Sequence, residues 1–235
     1  RANTDFVRIF KELRYSASDS FDEEKNQKLF EIIDGTYLGK FEARQVYSEH
    51  AYALMSGGQS SYYQQMKTVE LAEEELLKSI AEQPDNVRHH SFLVNMYLAA
   101  ASIDPSYSQK NIDLANKAIP LSPTRTQLYY SLGRAYMTLG QAEQSIDNFK
   151  KGLELSPQVF DSYLNLFAAY LNTNNLAEAE ETLNDLWTNV PTVVPGQYSH
   201  LAQVYYVFEY QDKAIDLLKA GIDKYPNEGN LYAQI

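Results

Sequence analysis

Apolar residues along the second half of the chain recur at i, i+3, i+4 and i+7: Tyr129, Leu132, Gly133 and Tyr136, then Tyr163, Leu166, Phe167 and Tyr170, then Tyr198, Leu201, Ala202 and Tyr205. That spacing lines one face of an α-helix. His90, Leu93, Val94 and Tyr97 make a weaker copy upstream. Each set is followed by a second helical face, as in Leu176, Ala179, Leu183 and Leu186, with Glu178, Glu181 and Asp185 turned outward. Short turns at Gly140-Gln141 and from Asn172 to Asn175 join the two faces into antiparallel hairpins. Pro84, Pro123, Pro157, Pro191 and Pro226 close successive pairs at spacings of 39, 34, 34 and 35, because proline cannot continue a helix interior. Tyr97, Tyr136, Tyr170 and Tyr205 are spaced 39, 34 and 35, so both ladders share one period and lengthen at the same place.

The clearest unit reads Tyr129, Leu132, Gly133, Tyr136, Ser145, Phe149, Gly152 and Pro157. It resembles the tetratricopeptide repeat, whose 34-residue pattern runs aromatic, Leu-Gly, Tyr, Ala, Phe, Pro. The next unit departs where the small residue after Leu166 is Phe167. The resemblance implies an all-α fold, a right-handed α-solenoid of tetratricopeptide (TPR) helix hairpins with a divergent helical N-terminal segment. The expected organisation is a non-repeat lead-in over 1–35, a divergent hairpin over 36–86, a repeat with an extended connection over 87–125, and further repeats over 126–159, 160–194 and 195–228. The start of another helix follows over 229–235.

The first third fits the period less well. A helix is expected near Phe6 to Leu13, and Ser20-Phe21-Asp22-Glu23 reads as a capping box opening a helix that carries Leu29, Phe30 and Ile33 and closes at Asp34-Gly35. Further helices are expected from about Phe41 to Met55, stopped by Gly57-Gly58, and from about Ser61 to Gln83. In the repeat over 87–125, five extra residues lie near Ser102 to Ser106, where Asp104-Pro105 reads as a cap plus first helical residue. Position 1 is Arg and residues 231–235 stop inside an incipient helix, so the chain reads as a piece of a larger protein.

Charge narrows the partner. The 235 residues hold 20 Lys and Arg against 31 Asp and Glu, a formal net charge of −11, which argues against nucleic acid because phosphate binding needs a basic face. With no Cys, disulfides, thiolate catalysis and cysteine metal sites are excluded. Apolar stretches such as Tyr97 to Ala101 are far short of the roughly 20 residues of a membrane helix, and no signal-peptide pattern opens the chain.

Catalytic chemistry is not legible. His50, His89, His90 and His200 stand in no metal-ligand spacing; His90 occupies the repeat's aromatic position, His89 is expected to face solvent, and His200 falls near the inner groove. Glu73-Glu74-Glu75 and the acids around Glu180 read as solvated outer faces, since consecutive helical residues diverge by about 100°. No enzyme activity, cofactor or metal is expected. The first helix of each hairpin should line a concave groove, and its inward positions give Arg88, Ser91, Asn95 and Leu98; Gln127, Tyr130, Arg134 and Met137; Asp161, Leu164, Ala168 and Leu171; and Gly196, Ser199, Gln203 and Tyr206. The candidate partner-binding residues are Arg88, Asn95, Gln127, Tyr130, Arg134, Asp161, Asn165, His200, Gln203 and Tyr206. Some TPR domains grip a C-terminal carboxylate through a Lys/Asn/Asn/Lys/Arg clamp; only Asn95 and the two Arg echo it, so that activity is not carried over. An extended peptide with acidic groups would meet both Arg88 and Arg134.

The order of features in residues 1–125 is also similar to the soluble C-terminal region of bacterial O-antigen-ligase-like membrane proteins: an irregular helical lead-in, the segment Gly39 to Gln45, a Glu-rich helix, then Pro84 to Arg88 and a first full repeat. That resemblance implies an extracytoplasmic module tethered to a bacterial membrane through parts of the protein outside this sequence; otherwise a cytoplasmic location is expected. Three functions stand: a scaffold for a protein or extended peptide partner, an accessory module of a glycan-assembly membrane enzyme, and direct binding of a carbohydrate or small ligand in the groove, which Tyr130 and Tyr206 would favour by closing a pocket. The first is preferred because no catalytic constellation is present.

Overall fold

In a computed structural model of the chain, residues 23–35, 39–56 and 60–235 are described, and among them lie twelve α-helices and no strand. The helix expected near Phe6 to Leu13, the box residues Ser20 to Asp22 and the Gly57-Gly58 stop fall outside the described residues. The chain divides into two compact units, Arg1–Leu139 and Gly140–Ile235.

The first unit contains α1 (Glu23–Asp34), α2 (Lys40–Ser56), α3 (Tyr62–Glu82), α4 (Val87–Ala100), α5 (Tyr107–Ala118) and α6 (Thr126–Thr138). Helix α2 packs on α3 and α4, α3 on α4, and α4 and α5 each on α6. The inner helices α2, α4 and α6 therefore lie side by side, and the second helix of each hairpin wedges against the first helix of the next. The N-terminus of α3 is fixed by Ser61, whose hydroxyl accepts the Gln64 N–H while the Gln64 side chain accepts from the Ser61 N–H at 3.0 Å, a reciprocal cap. In the second unit, α7 (Ala142–Leu155) packs on α8 (Phe160–Asn172), α8 on α9 (Leu176–Asn189) and on α10 (Pro195–Val207), α10 on α11 (Gln211–Lys224), and α11 on the short α12 (Gly229–Tyr232). Leu93 and Leu132 are buried in the first unit and Leu166 and Leu201 in the second; Tyr136 and Tyr170 are half-buried against the respective cores.

The proline ladder is tied by hydrogen bonds to the aromatic position that opens the following helix, seven residues before the tyrosine-ladder position. The hydroxyls of Tyr129, Tyr163 and Tyr232 donate to the carbonyls of Pro123, Pro157 and Pro226, each six residues upstream, at 2.9, 2.8 and 3.1 Å. The linker before Tyr198 is one residue longer, and there Tyr225 donates to the Val193 carbonyl at 2.8 Å instead. A third ladder lies in the turns between helices: Gly140, Asn174 and Glu209 have φ of 70°, 56° and 66°. Gly and Asn take this left-handed conformation readily, whereas at Glu209 it costs on the order of 1 kcal/mol. Near the end of the last hairpin, a Cβ on Gly221 would lie 3.0 to 3.1 Å from Tyr198, so a larger residue there would require the tyrosine ring to give way by a few tenths of an ångström, and glycine favours this close approach of α11 to α10.

The extended connection corrects one expectation. Helix α5 starts at Tyr107, two residues beyond Pro105; Asp104 closes a turn by accepting the Ser106 N–H at 2.9 Å. Burial of Tyr107 against Tyr97, with ring centroids 5.7 Å apart, sets the start of the helix.

Candidate functional site

Each unit presents its own inner stripe. In the first, Arg88 and Asn95 on α4 and Gln127 and Arg134 on α6 are exposed, and Tyr130 is half-buried. The Arg88 guanidinium lies 5.7 Å from the Phe92 ring centroid. In the second, Asp161 on α8 and His200, Gln203 and Tyr206 on α10 are exposed, with Asn165 half-buried and donating to the Asp161 carbonyl at 2.7 Å. Tyr206 is 65% exposed. Leu171, expected in this stripe, is buried instead, because its side chain belongs to the hydrophobic core of the second unit.

Helix α2 adds members that the sequence pattern concealed. Its buried residues Ala43, Arg44, Tyr47, Ser48 and Ala51 repeat the spacing of His89, His90, Leu93, Val94 and Tyr97 on α4. The same register places Glu42, Gln45, Glu49 and Tyr52 on α2 alongside Arg88, Ser91, Asn95 and Leu98. Glu42, Glu49 and Tyr52 are exposed, and Gln45 donates to Glu49 at 2.9 Å. The helix itself lies where Phe41 to Met55 was expected; a charged residue, Arg44, at a core position hides only its repeat register from a hydrophobicity pattern.

The acids divide into structural and solvated groups. Glu75 is 2% exposed and accepts from Arg44 Nε at 2.9 Å and Lys78 at 2.5 Å. Glu73 accepts from the Tyr97 hydroxyl at 2.7 Å and pairs with Lys110 at 2.9 Å, while the Lys110 ammonium sits 4.5 Å from the Tyr107 ring centroid. The outer-face expectation for Glu73 and Glu75 is thereby corrected; Glu74 is exposed and meets Lys78 at 3.3 Å. The second unit repeats the device with Glu180 and Lys213. That unit holds 13 Asp and Glu against 5 Lys and no Arg, so it carries −8 of the −11 charge.

His89 is also buried, not solvent-facing: its ring stacks on Phe41 with centroids 5.1 Å apart, and Nε2 lies 3.0 Å from Gln83 Oε1. Burial holds it below the ordinary imidazole value, helped by nearby His90, Arg88 and Arg44 and opposed by Glu42. Burial lowers His50 as well. For Asp34, desolvation pushes upward but is outweighed by hydrogen bonds from Arg44 and Lys78, and Glu82 is lowered by hydrogen bonds from Lys40 and Arg44. All four groups bind protons more readily unfolded than folded, so stability rises with pH. The contribution of the histidines is complete above about pH 6.5 and is lost as pH falls below it; that of the carboxylates is lost below about pH 4. Thermal midpoints followed by helical circular dichroism should fall from pH 7.5 to 5.5 and again toward pH 3.5. A His50→Phe/His89→Phe variant should flatten the first step; a midpoint rising on acidification would contradict the assignment.

Among the described residues no cluster of His, Asp and Glu has the arrangement of a metal site, and no helix is long and apolar enough to cross a membrane. An open cleft at the turn into α11, lined by Glu209 to Lys213, contains none of the ten inner-stripe residues.

Residues 126–159 match the family model of the tetratricopeptide repeat. A comparison with curated protein sequences gave no match. Among solved structures, the chain is similar to TTC0263, a thermophilic TPR protein of Thermus thermophilus, at 16% identity over 80% of this chain and 96% of that one, with a TM-score of 0.52. It is also similar to two crystal structures of MamA, at 20% and 18% identity, covering 70% and 78% of this chain and 93% and 94% of those, each with a TM-score of 0.53. The all-α fold of TPR hairpins expected from the ladders is the fold that these structures share with this chain.

Proposed function

We propose that this chain, whose fold is that of the tetratricopeptide proteins, is a non-catalytic scaffold that binds a protein or an extended peptide segment on the inner faces of its helix hairpins. One observation carries the reading: the repeat's signature residues are consumed by packing, while in each unit the first helices of the hairpins present exposed polar side chains, joined in the second unit by the exposed Tyr206. Such surfaces suit extended partners because each hairpin adds another row of contacts, and rigid presentation lowers the cost of ordering on binding.

The test compares three forms of the chain in pull-downs from a cell lysate. Arg88→Ala/Arg134→Ala removes the two inner cations, and Glu181→Gln/Asp185→Asn alters exposed acids on α9. Glu73 and Glu75 are unsuitable as outer-face controls because they hold the first unit together. Partners retained by wild type and by the α9 variant should be lost by the inner-face variant. The reverse pattern would place binding on the outer acidic surface and refute the proposal.

A further inference from the structure

We propose that the inner face of the first unit reads charge polarity along its partner: it takes an extended peptide carrying a basic residue at one end and an acidic residue at the other. This rests on the concave-binding reading above and specifies its ligand. The inference comes from the register of α2, α4 and α6. The equivalent inward positions near the middle of each helix are Glu49, Asn95 and Arg134, and all three are exposed. Read across the helices, this row runs acid, amide, base. Helices α2 and α4 pack together, as do α4 and α6, so the three side chains lie in order across one surface.

Each member has a distinct chemical use. Glu49 offers a carboxylate to a Lys or Arg side chain, and Arg134 offers a planar fork of donors to a carboxylate. Asn95 between them carries both a donor and an acceptor, the pair needed to hydrogen-bond a peptide main chain. The adjacent row, Tyr52, Leu98 and Met137, gives the same segment an apolar border. Neighbouring packed helices lie about 8 to 10 Å apart, which puts Glu49 and Arg134 roughly 16 to 20 Å from each other. An extended chain advances about 3.3 to 3.6 Å per residue, so the ligand's opposite charges should be separated by about five or six residues. A uniformly acidic segment would set a carboxylate against Glu49 and Glu42, and a uniformly basic one would set a cation against Arg134.

The experiment selects linear peptides from a random displayed library against the full chain and against a charge-swapped variant, Glu49→Arg/Arg134→Glu. Wild-type binders should be enriched in one base and one acid at the stated separation, in one preferred order along the sequence. The swapped variant should enrich the opposite order. A wild-type binder should lose about fivefold in affinity, or more, for the swapped protein, as expected for two solvent-exposed charge pairs turned repulsive. Binders that are lost in Asn95→Ala and Tyr130→Ala but show no charge order, or one sign only, would overturn the polarity and leave the inner face as the binding surface. Binders indifferent to all these substitutions, or no binders at all, would overturn both.

Discussion

Replacing Arg44 by Met is expected to cost the first unit about 3 to 5 kcal/mol, the range for removing one partner from a buried ion pair. The Arg44 side chain is 3% exposed. It spends Nε on Glu75 at 2.9 Å, Nη1 on Glu82 at 3.0 Å and Ser79 at 3.4 Å, and Nη2 on Asp34 at 2.7 Å. One guanidinium thereby fastens α1 and α3 to α2. Methionine fills a similar volume but leaves the Glu75 carboxylate buried with Lys78 as its remaining cation. The double variant Arg44→Met/Glu75→Leu should recover much of the loss, because a matched apolar pair carries no uncompensated charge. Urea unfolding followed by circular dichroism measures the difference. Equal losses in the single and double variants would show that Glu75 is not confined by Arg44.

The parts of the fold legible in the sequence are those in which packing is done by apolar side chains at helical spacing. From Tyr129 onward each hairpin repeats the same chemistry, and the helices form where the period places them. The prolines were legible as stops, but their second use as acceptors for Tyr129, Tyr163 and Tyr232 was not, because a hydroxyl's partner six residues away depends on the turn's geometry. The left-handed turn position was visible at Gly140 and Asn174 and hidden at Glu209, whose side chain gives no sign of a positive φ.

The first unit was less legible because polar residues do the work of apolar ones there. Arg44 and Glu75 occupy the core as a pair, Asn111 is buried while its amide donates to the Val94 carbonyl at 2.7 Å and to Ser131 at 2.9 Å, and His89 is packed against Phe41. A run such as Glu73-Glu74-Glu75 looks solvated because composition cannot reveal which member meets a cation from another helix. The same effect concealed the register of α2, which puts Glu49 at the position equivalent to Asn95 on α4 and Arg134 on α6. The exposure of Arg88, Asn95, Gln127, Arg134, Asp161, Gln203 and Tyr206 was accessible to a reading of register, since exposure on a helix follows from which residues the core has already claimed.

In the second unit, Phe167→Ala is expected to cost about 3 to 5 kcal/mol, as for other fully buried aromatic truncations. Phe167 stands where the neighbouring repeats carry Gly133 and Ala202, so the sequence pattern taken alone predicts crowding. The structure instead accommodates the ring completely: it is 0% exposed and meets Tyr205 edge-on, with centroids 4.8 Å apart and planes at 85°. That pair contributes about 0.5 to 1.5 kcal/mol beyond area burial, and truncation leaves a cavity between α8 and α10. Tyr136→Ala should cost less, because its ring is only half-buried, and Glu181→Ala on the exposed face of α9 should stay within about 0.5 kcal/mol. Since each hairpin contacts its neighbours and little else, hydrogen exchange in Phe167→Ala should accelerate first in α8 and α10. Matching urea midpoints for Phe167→Ala and Glu181→Ala, with unchanged exchange in α8, would mean that this register is wrong.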